Sequence, residues 1–212
     1  EALKVAKRIT FSTVKAVFGF TNDNNIGSIF YTAMQAVPAF LPSVLKKREI
    51  PCLIPHAIDQ DPHFRVSRDV IPKLGHYKPA SIQCRFLPGL AGMDAVGKMS
   101  ASEANTAIYT IDDEKTVKNK IMKYAFSGGQ PTVEEHRKKG GNPDIDVSYQ
   151  WLTFFEESDK KLKDVYTSYT NGSLLTGELK QLLVDKLNTF LNDHQKRREK
   201  AKSVVEDYML KT

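Results

Sequence analysis

The stretch that most restricts the fold of this chain is Pro51-Cys52-Leu53-Ile54-Pro55, followed at once by His56-Ala57-Ile58-Asp59-Gln60-Asp61. The first of these runs is short and continuously apolar, the pattern of a strand buried on both faces of a parallel sheet. The second is polar and predicts a turn. Asp61 is suited to cap a helix and Pro62 to occupy its first position, with Phe64, Val66, Val70 and Ile71 as the apolar side. Residues 79–87 (PASIQCRFL) predict a second strand. Strand, helix, strand is the unit of an open α/β sheet, which binds ligands in the crevice beyond its strand C-termini. His56, Asp59 and Gln60 fall at that point.

The residues before this unit read as helical. Residues 1–18 carry a break near Thr10-Phe11-Ser12, with Ser12 as the expected cap of the second piece and Gly19 as its stop. Thr21 to Asn25 reads as a turn. Ile26 to Val37 predicts a helix that ends before Pro38. Phe40 to Glu49 reads as irregular. Glu1-Ala2-Leu3-Lys4 looks like the interior of a helix, so the N-terminus reads as a cut in a longer chain.

After the second strand comes a loop, AGMDAVG, that ends in Lys98-Met99-Ser100-Ala101-Ser102. A lysine and two serine hydroxyls on a small-residue loop are placed to meet a polyphosphate and to stabilise charge on it. Beyond about residue 107 the pattern turns wholly helical. Thr110 or Asp112 can cap a helix bearing Val117, Ile121 and Tyr124. Thr132-Val133-Glu134-Glu135 is a capping box. Asp146 can cap a helix with Val147, Trp151, Phe154 and Phe155 on one side, and that spacing points to core packing rather than to stacking on RNA bases. A helix over Asp159 to Thr170 follows. The last helix, from Thr176, has Leu179, Leu182, Leu183, Leu187, Phe190 and Leu191 as its stripe.

Bulk properties narrow the class. The net charge of +6 is compatible with a polyanionic partner. With only two cysteines, Cys52 and Cys84, no disulfide framework is expected and a reducing compartment fits. No apolar run is long enough to span a bilayer, so no membrane role is expected. Cys52 and His56 lack the further partners of a zinc site, so no metal site on the protein is expected. The Lys196-Arg197-Arg198 cluster reads as a solvated helix end.

The phrases CLIP, AIDQDP, KMSAS, AFSGG, EEHR and LTGELK, in this order, resemble the eukaryotic-type cytoplasmic tryptophanyl-tRNA synthetases, a family of class I aminoacyl-tRNA synthetases. The resemblance covers essentially the whole chain. It implies the C-terminal half of a Rossmann-like parallel-sheet catalytic domain, residues 1–107, followed by a helical anticodon-binding domain, residues 108–212. It implies ATP with Mg²⁺, L-tryptophan and tRNA-Trp as substrates, a homodimer, and a cytoplasmic location. Lys98, Ser100 and Ser102 match the signature residues that act on the departing pyrophosphate. Ile54, Ala57, Asp59, Lys98, Met99 and Ser100 match ATP-binding positions. Gln35, His56 and Gln60 match the tryptophan pocket, with His56 standing where some relatives carry cysteine. Lys180 matches an anticodon contact, while Pro131 stands where relatives can carry an acidic anticodon-reading residue.

The first class I signature, HIGH-like, is not in this sequence. The chain is therefore expected to carry half an active site and to be inactive alone. Two other readings stay open. A tyrosyl-tRNA synthetase shares the architecture, and a non-catalytic module could bind tRNA or a protein without chemistry.

Overall fold

The apolar run does become a strand, β1, but over Leu53–Ala57, and it pairs in parallel with β2, Ala80–Cys84. In register, His56 lies opposite Gln83 and Ala57 opposite Cys84. Parallel strands need a crossover, and helix α5, Asp61–Val70, supplies it. The computed structural model describes residues 1–92, 99, 105 and 107–209. These fall into two units, Glu1–Phe86 and Leu87–Thr212.

In the first unit, α1 (Ala2–Ala6), α2 (Phe11–Phe18) and α3 (Ile26–Ala36) precede a short helix α4 (Leu41–Lys46) and then the β1–α5–β2 crossover. α3 packs on α1 and on α5. The core there is Val5, Ala33, Ala36, Phe40, Phe64, Val66, Val70 and Ile71. Four local expectations are corrected. Thr10, not Ser12, caps α2: its backbone is extended and its hydroxyl accepts from Thr13 N at 3.2 Å. The stretch read as irregular contains α4, because Pro42 is tolerated in a first helical turn. β1 is not buried on both faces. Leu53 is 58% exposed, and the only buried residue of the strand is His56. Asp61 is no cap either; it begins α5, and its carboxylate accepts from Arg65 Nε and from Gln83 Nε2. Gly19, in the left-handed region at φ 68°, stops α2 as expected.

The second unit is helical: α6 (Glu114–Tyr124), α7 (Val133–Lys139), α8 (Val147–Phe155), α9 (Asp159–Thr170) and α10 (Thr176–Ala201). Its core joins Leu90, Val117, Ile121, Val147, Trp151, Tyr169, Leu179, Leu183 and Leu187. Leu87 and Ile108 also pack on it, so these helices draw in chain from before the change of composition near residue 107. Thr132 and Asp146 cap α7 and α8 as their residue types predict. α6 starts later than expected, and its cap is Asp113, which accepts from Thr116 N at 2.7 Å. Phe154, Leu182 and Phe190 are exposed, so the apolar stripes of α8 and α10 are narrower than their hydrophobic residues suggest. Trp151 is buried, and its Nε1 donates to Pro88 O at 2.8 Å. Its place is the core, in keeping with its helical spacing. A parallel strand pair crossed by a helix, followed by a helical domain, is the architecture expected from the sequence.

Candidate functional site

β1 ends at Ala57, and the turn Ile58–Gln60 follows before α5 begins. His56 is 7% exposed and stacks on Phe64, ring centres 4.6 Å apart. Its Nδ1 lies 3.0 Å from Ala57 O. A carbonyl oxygen only accepts, so Nδ1 carries the proton and Nε2 is an acceptor. That Nε2 is buried and meets no donor among the described residues.

Gln60 stands at the end of the turn. Gln35, in the last turn of α3, donates from Nε2 to Gln60 Oε1 at 3.4 Å, although 25 positions separate them. The structure thus brings together two of the residues expected to hold tryptophan. Both are half-buried, so each amide keeps hydrogen-bonding capacity for something else. Asp59 is exposed beside them, and its charge acts on His63. Ile54 is half-buried and packs against the core, and Ala57 is half-buried at the strand end. Met99 is 36% exposed. Lys98, Ser100 and Ser102 lie outside the described residues.

His63, in the first turn of α5, is half-buried between α2 and α3. Its ring lies 4.3 Å from that of Phe18 and meets Tyr31 edge-on at 5.6 Å. Its Nδ1 is buried without a partner among the described residues, as is the hydroxyl of Thr32 on α3. Burial pushes the His63 imidazole below its ordinary value, against the opposing charge of Asp59. The available signal was its position three residues after Gln60 at the start of a helix, which turns both toward α3.

The phrases of the helical unit meet at a different kind of place. Asp146 is fully buried. Its Oδ2 accepts from Tyr169 Oη at 2.7 Å and from Gly128 N at 2.9 Å, and its Oδ1 from Ser148 N at 2.9 Å. Tyr169 Oη also lies 3.1 Å from Thr176 Oγ1. His136 donates from Nε2 to Leu174 O at 2.9 Å, and its Nδ1 accepts from Gln130 N at 3.4 Å. The glycines are there for closeness. A Cβ on Gly141 would stand 2.5 Å from the Tyr169 ring, and one on Gly140, at φ 72°, 1.7 Å from Thr170 O. Burial pushes the Tyr169 hydroxyl well above the usual tyrosine range.

Lys180, matched to an anticodon contact, is buried in this unit and donates to Met122 O at 3.2 Å. Burial lowers its ammonium pKa, and the charge of Asp146 opposes that shift. Pro131 is exposed just before α7. Among the described residues no group of three His, Cys, Asp or Glu side chains is placed to hold a metal ion, and no helix is long and apolar enough to cross a membrane.

The model of the family "tRNA synthetases class I (W and Y)" matches residues 2–192. The chain is 56% identical over 204 residues to the tryptophan–tRNA ligase of Saccharolobus solfataricus, covering 96% of this chain and 52% of that protein. It is 48% identical over 212 residues to the human cytoplasmic tryptophan–tRNA ligase, covering 98% of this chain and 45% of that one. The solved tryptophanyl-tRNA synthetase of Giardia lamblia superposes with a TM-score of 0.86 at 36% identity, over 100% of this chain and 59% of the other. The chain therefore spans about half the length of the curated relatives it matches. The β1–α5–β2 crossover with its Gln35–Gln60 pair, and the helical unit built around Asp146, are parts of one family, and the chain belongs to the class I tRNA synthetases of the tryptophan and tyrosine group.

Proposed function

We propose that this chain is the C-terminal half of a tryptophan–tRNA ligase, which joins tryptophan to ATP as an adenylate, releases pyrophosphate, and passes the aminoacyl group to tRNA-Trp. The observation that most supports this is the meeting of Gln35 with Gln60 beyond the end of β1. Two amides of matched position converge where an α/β sheet binds ligands, in a chain 48–56% identical to tryptophan–tRNA ligases.

In this reading Gln35, His56 and Gln60 face tryptophan. Ile54, Ala57, Asp59 and Met99 line the nucleotide site. The residues offered to the phosphates are Lys98, Ser100 and Ser102, and Mg²⁺ enters on ATP. The reaction needs positioning of carboxylate against α-phosphate and charge stabilisation on the leaving pyrophosphate, more than it needs covalent help. Residues 108–212 take the anticodon end of the tRNA, with Lys180 as the contact matched by position. The working protein is a cytoplasmic homodimer. The chain by itself lacks a HIGH-like signature and does not catalyse adenylate formation.

The test is ATP–pyrophosphate exchange by the full-length protein, run with tryptophan and with tyrosine. Exchange with tryptophan is expected. Exchange with tyrosine alone makes it a tyrosyl enzyme, and salt-dependent tRNA binding with no exchange makes it a binding module. Exchange by residues 1–212 alone would overturn the half-site reading.

A further inference from the structure

His56 lies opposite Gln83 in the parallel register, and directly opposed residues share one face of a ladder. That face is the one under α5. His56 stacks on Phe64 of the helix, and Gln83 donates from Nε2 to Asp61 Oδ1, at the first residue of the helix. A carboxylate only accepts, so the Gln83 amide turns its N–H toward it. The other oxygen of Asp61 takes Arg65 Nε. Toward the far end of α5, Arg68 donates to Pro79 O, just before β2 begins. The helix is thus strapped to β2 at two points. Asp61 to Arg68 spans about 10 Å of helix and Pro79 to Gln83 about 13 Å of strand, so α5 lies along β2 and runs against it.

The first strap is at the site. Gln60, the last residue of the turn, is joined to Asp61 by one peptide bond. Its Oε1 meets Gln35 Nε2 at 3.4 Å, long for such a bond, so a small shift at the start of α5 makes or breaks the contact. No side chain caps α5. Its first turn is held from β2 rather than by the turn that precedes it. Gln83 is exposed, but the Asp61 side chain that it grips is only 13% exposed. A hydrogen bond to an ionised group is also roughly twice as strong as one between neutral groups.

We propose that Gln83 is a positioning residue for the amino-acid pocket: acting through the Asp61 carboxylate, it sets Gln60 where its amide meets Gln35 and tryptophan. The inference rests on the tryptophan–tRNA ligase reading and adds to it a residue of β2 that no motif marks. Gln83, Asp61, Gln60 and Gln35 all belong to the first unit. The effect falls on the KM for tryptophan and not on the chemical step.

The experiment is ATP–pyrophosphate exchange with tryptophan by the full-length protein. One variant is Gln83→Glu, which sets a second carboxylate against Asp61. The other joins Gln83→Glu to Asp61→Asn, so that amide and carboxylate exchange places. Gln83→Glu is expected to raise the tryptophan KM about fivefold, less than the loss of Gln60 itself, with kcat within about twofold of wild type. The paired variant is expected to return KM to within about twofold of wild type. An unchanged KM in Gln83→Glu, a fall in kcat as large as the rise in KM, or a paired variant no better than Gln83→Glu overturns the proposal. No exchange by the wild-type protein with tryptophan sinks the ligase reading instead. Amide hydrogen exchange on the same protein then decides the strap alone. Gln83→Glu should deprotect Arg65 and Val66 while Val70 and Ile71 stay protected, and unchanged protection at Arg65 overturns it.

Discussion

The turn at the end of β1 and the node around Asp146 are both built from polar residues, yet they are satisfied differently. At the turn, His56 Nε2 and His63 Nδ1 are buried without partners among the described residues, and so is the Thr32 hydroxyl on α3. At the node, both oxygens of the Asp146 carboxylate are taken, and the side chains of Tyr169 and His136 are bonded at every polar atom, although the buried Ser148 hydroxyl beside them meets no partner among the described residues. An unmet buried polar atom costs about 1–3 kcal/mol. In the function proposed above, tryptophan meets the first region. The second has the chemistry of a strut, holding Gly128, α8, α9 and α10 in one arrangement.

That contrast can be broken by mutation. Asp146→Ala leaves two backbone N–H groups unpaired and Tyr169 Oη with Thr176 Oγ1 alone and is expected to cost about 3 kcal/mol of stability, read by thermal or urea unfolding; a loss below about 1 kcal/mol would mean the node is not a strut. Gly140→Ala puts a Cβ against Thr170 O in the left-handed region and should cost about 2 kcal/mol or more by the same measurement. Gln60→Ala should barely move stability, because its bond to Gln35 is long and half-exposed. It should weaken tryptophan binding by the full-length protein about tenfold, roughly 1.4 kcal/mol. Equal effects on stability and binding would erase the distinction.

The smallest effect is a pH dependence. The folded-state pKa of His63 is lowered by burial, so the unfolded chain takes up its proton first. Its contribution to stability is complete above the ordinary histidine value of 6.5 and is lost as pH falls from there through the folded pKa. Unfolding followed between about pH 7 and pH 5 should show that loss, and His63→Phe should reduce it.

Local chemistry was the legible part of this molecule. Thr132 and Asp146 announce their helices, Gly19 its stop, and Val117 with Ile121 the buried face of α6, because each signal lies within one turn of its effect. Asp61 and Asp112 mislead for the converse reason. An aspartate before a helix reads as a cap, but Asp61 bonds Arg65 and the distant Gln83, and Asp112 bonds Tyr109 N behind it and Lys120 two turns on. The Gln35–Gln60 pair was legible only through motifs, since no local pattern connects α3 to the turn. The setting of His63 depends on where α2 and α3 pack, which its place three residues after Gln60 does not determine. The node shows why AFSGG and Gly140-Gly141 are glycine-rich: Gly128 and Gly129 are crowded by Asn142 and Thr176, and Gly140 and Gly141 by Thr170 and Tyr169.

The β1–β2 pair has one more consequence. Among the described residues the parallel ladder has two strands, each leaving an outer row of amide and carbonyl groups, and Leu53 and Ile82 are 58% and 49% exposed. Such an edge is a template for any extended segment that drifts against it. At high concentration, residues 1–212 in isolation should therefore stick edge to edge, with light scattering rising faster than concentration, and a lysine at position 82 is the simplest way to blunt that tendency.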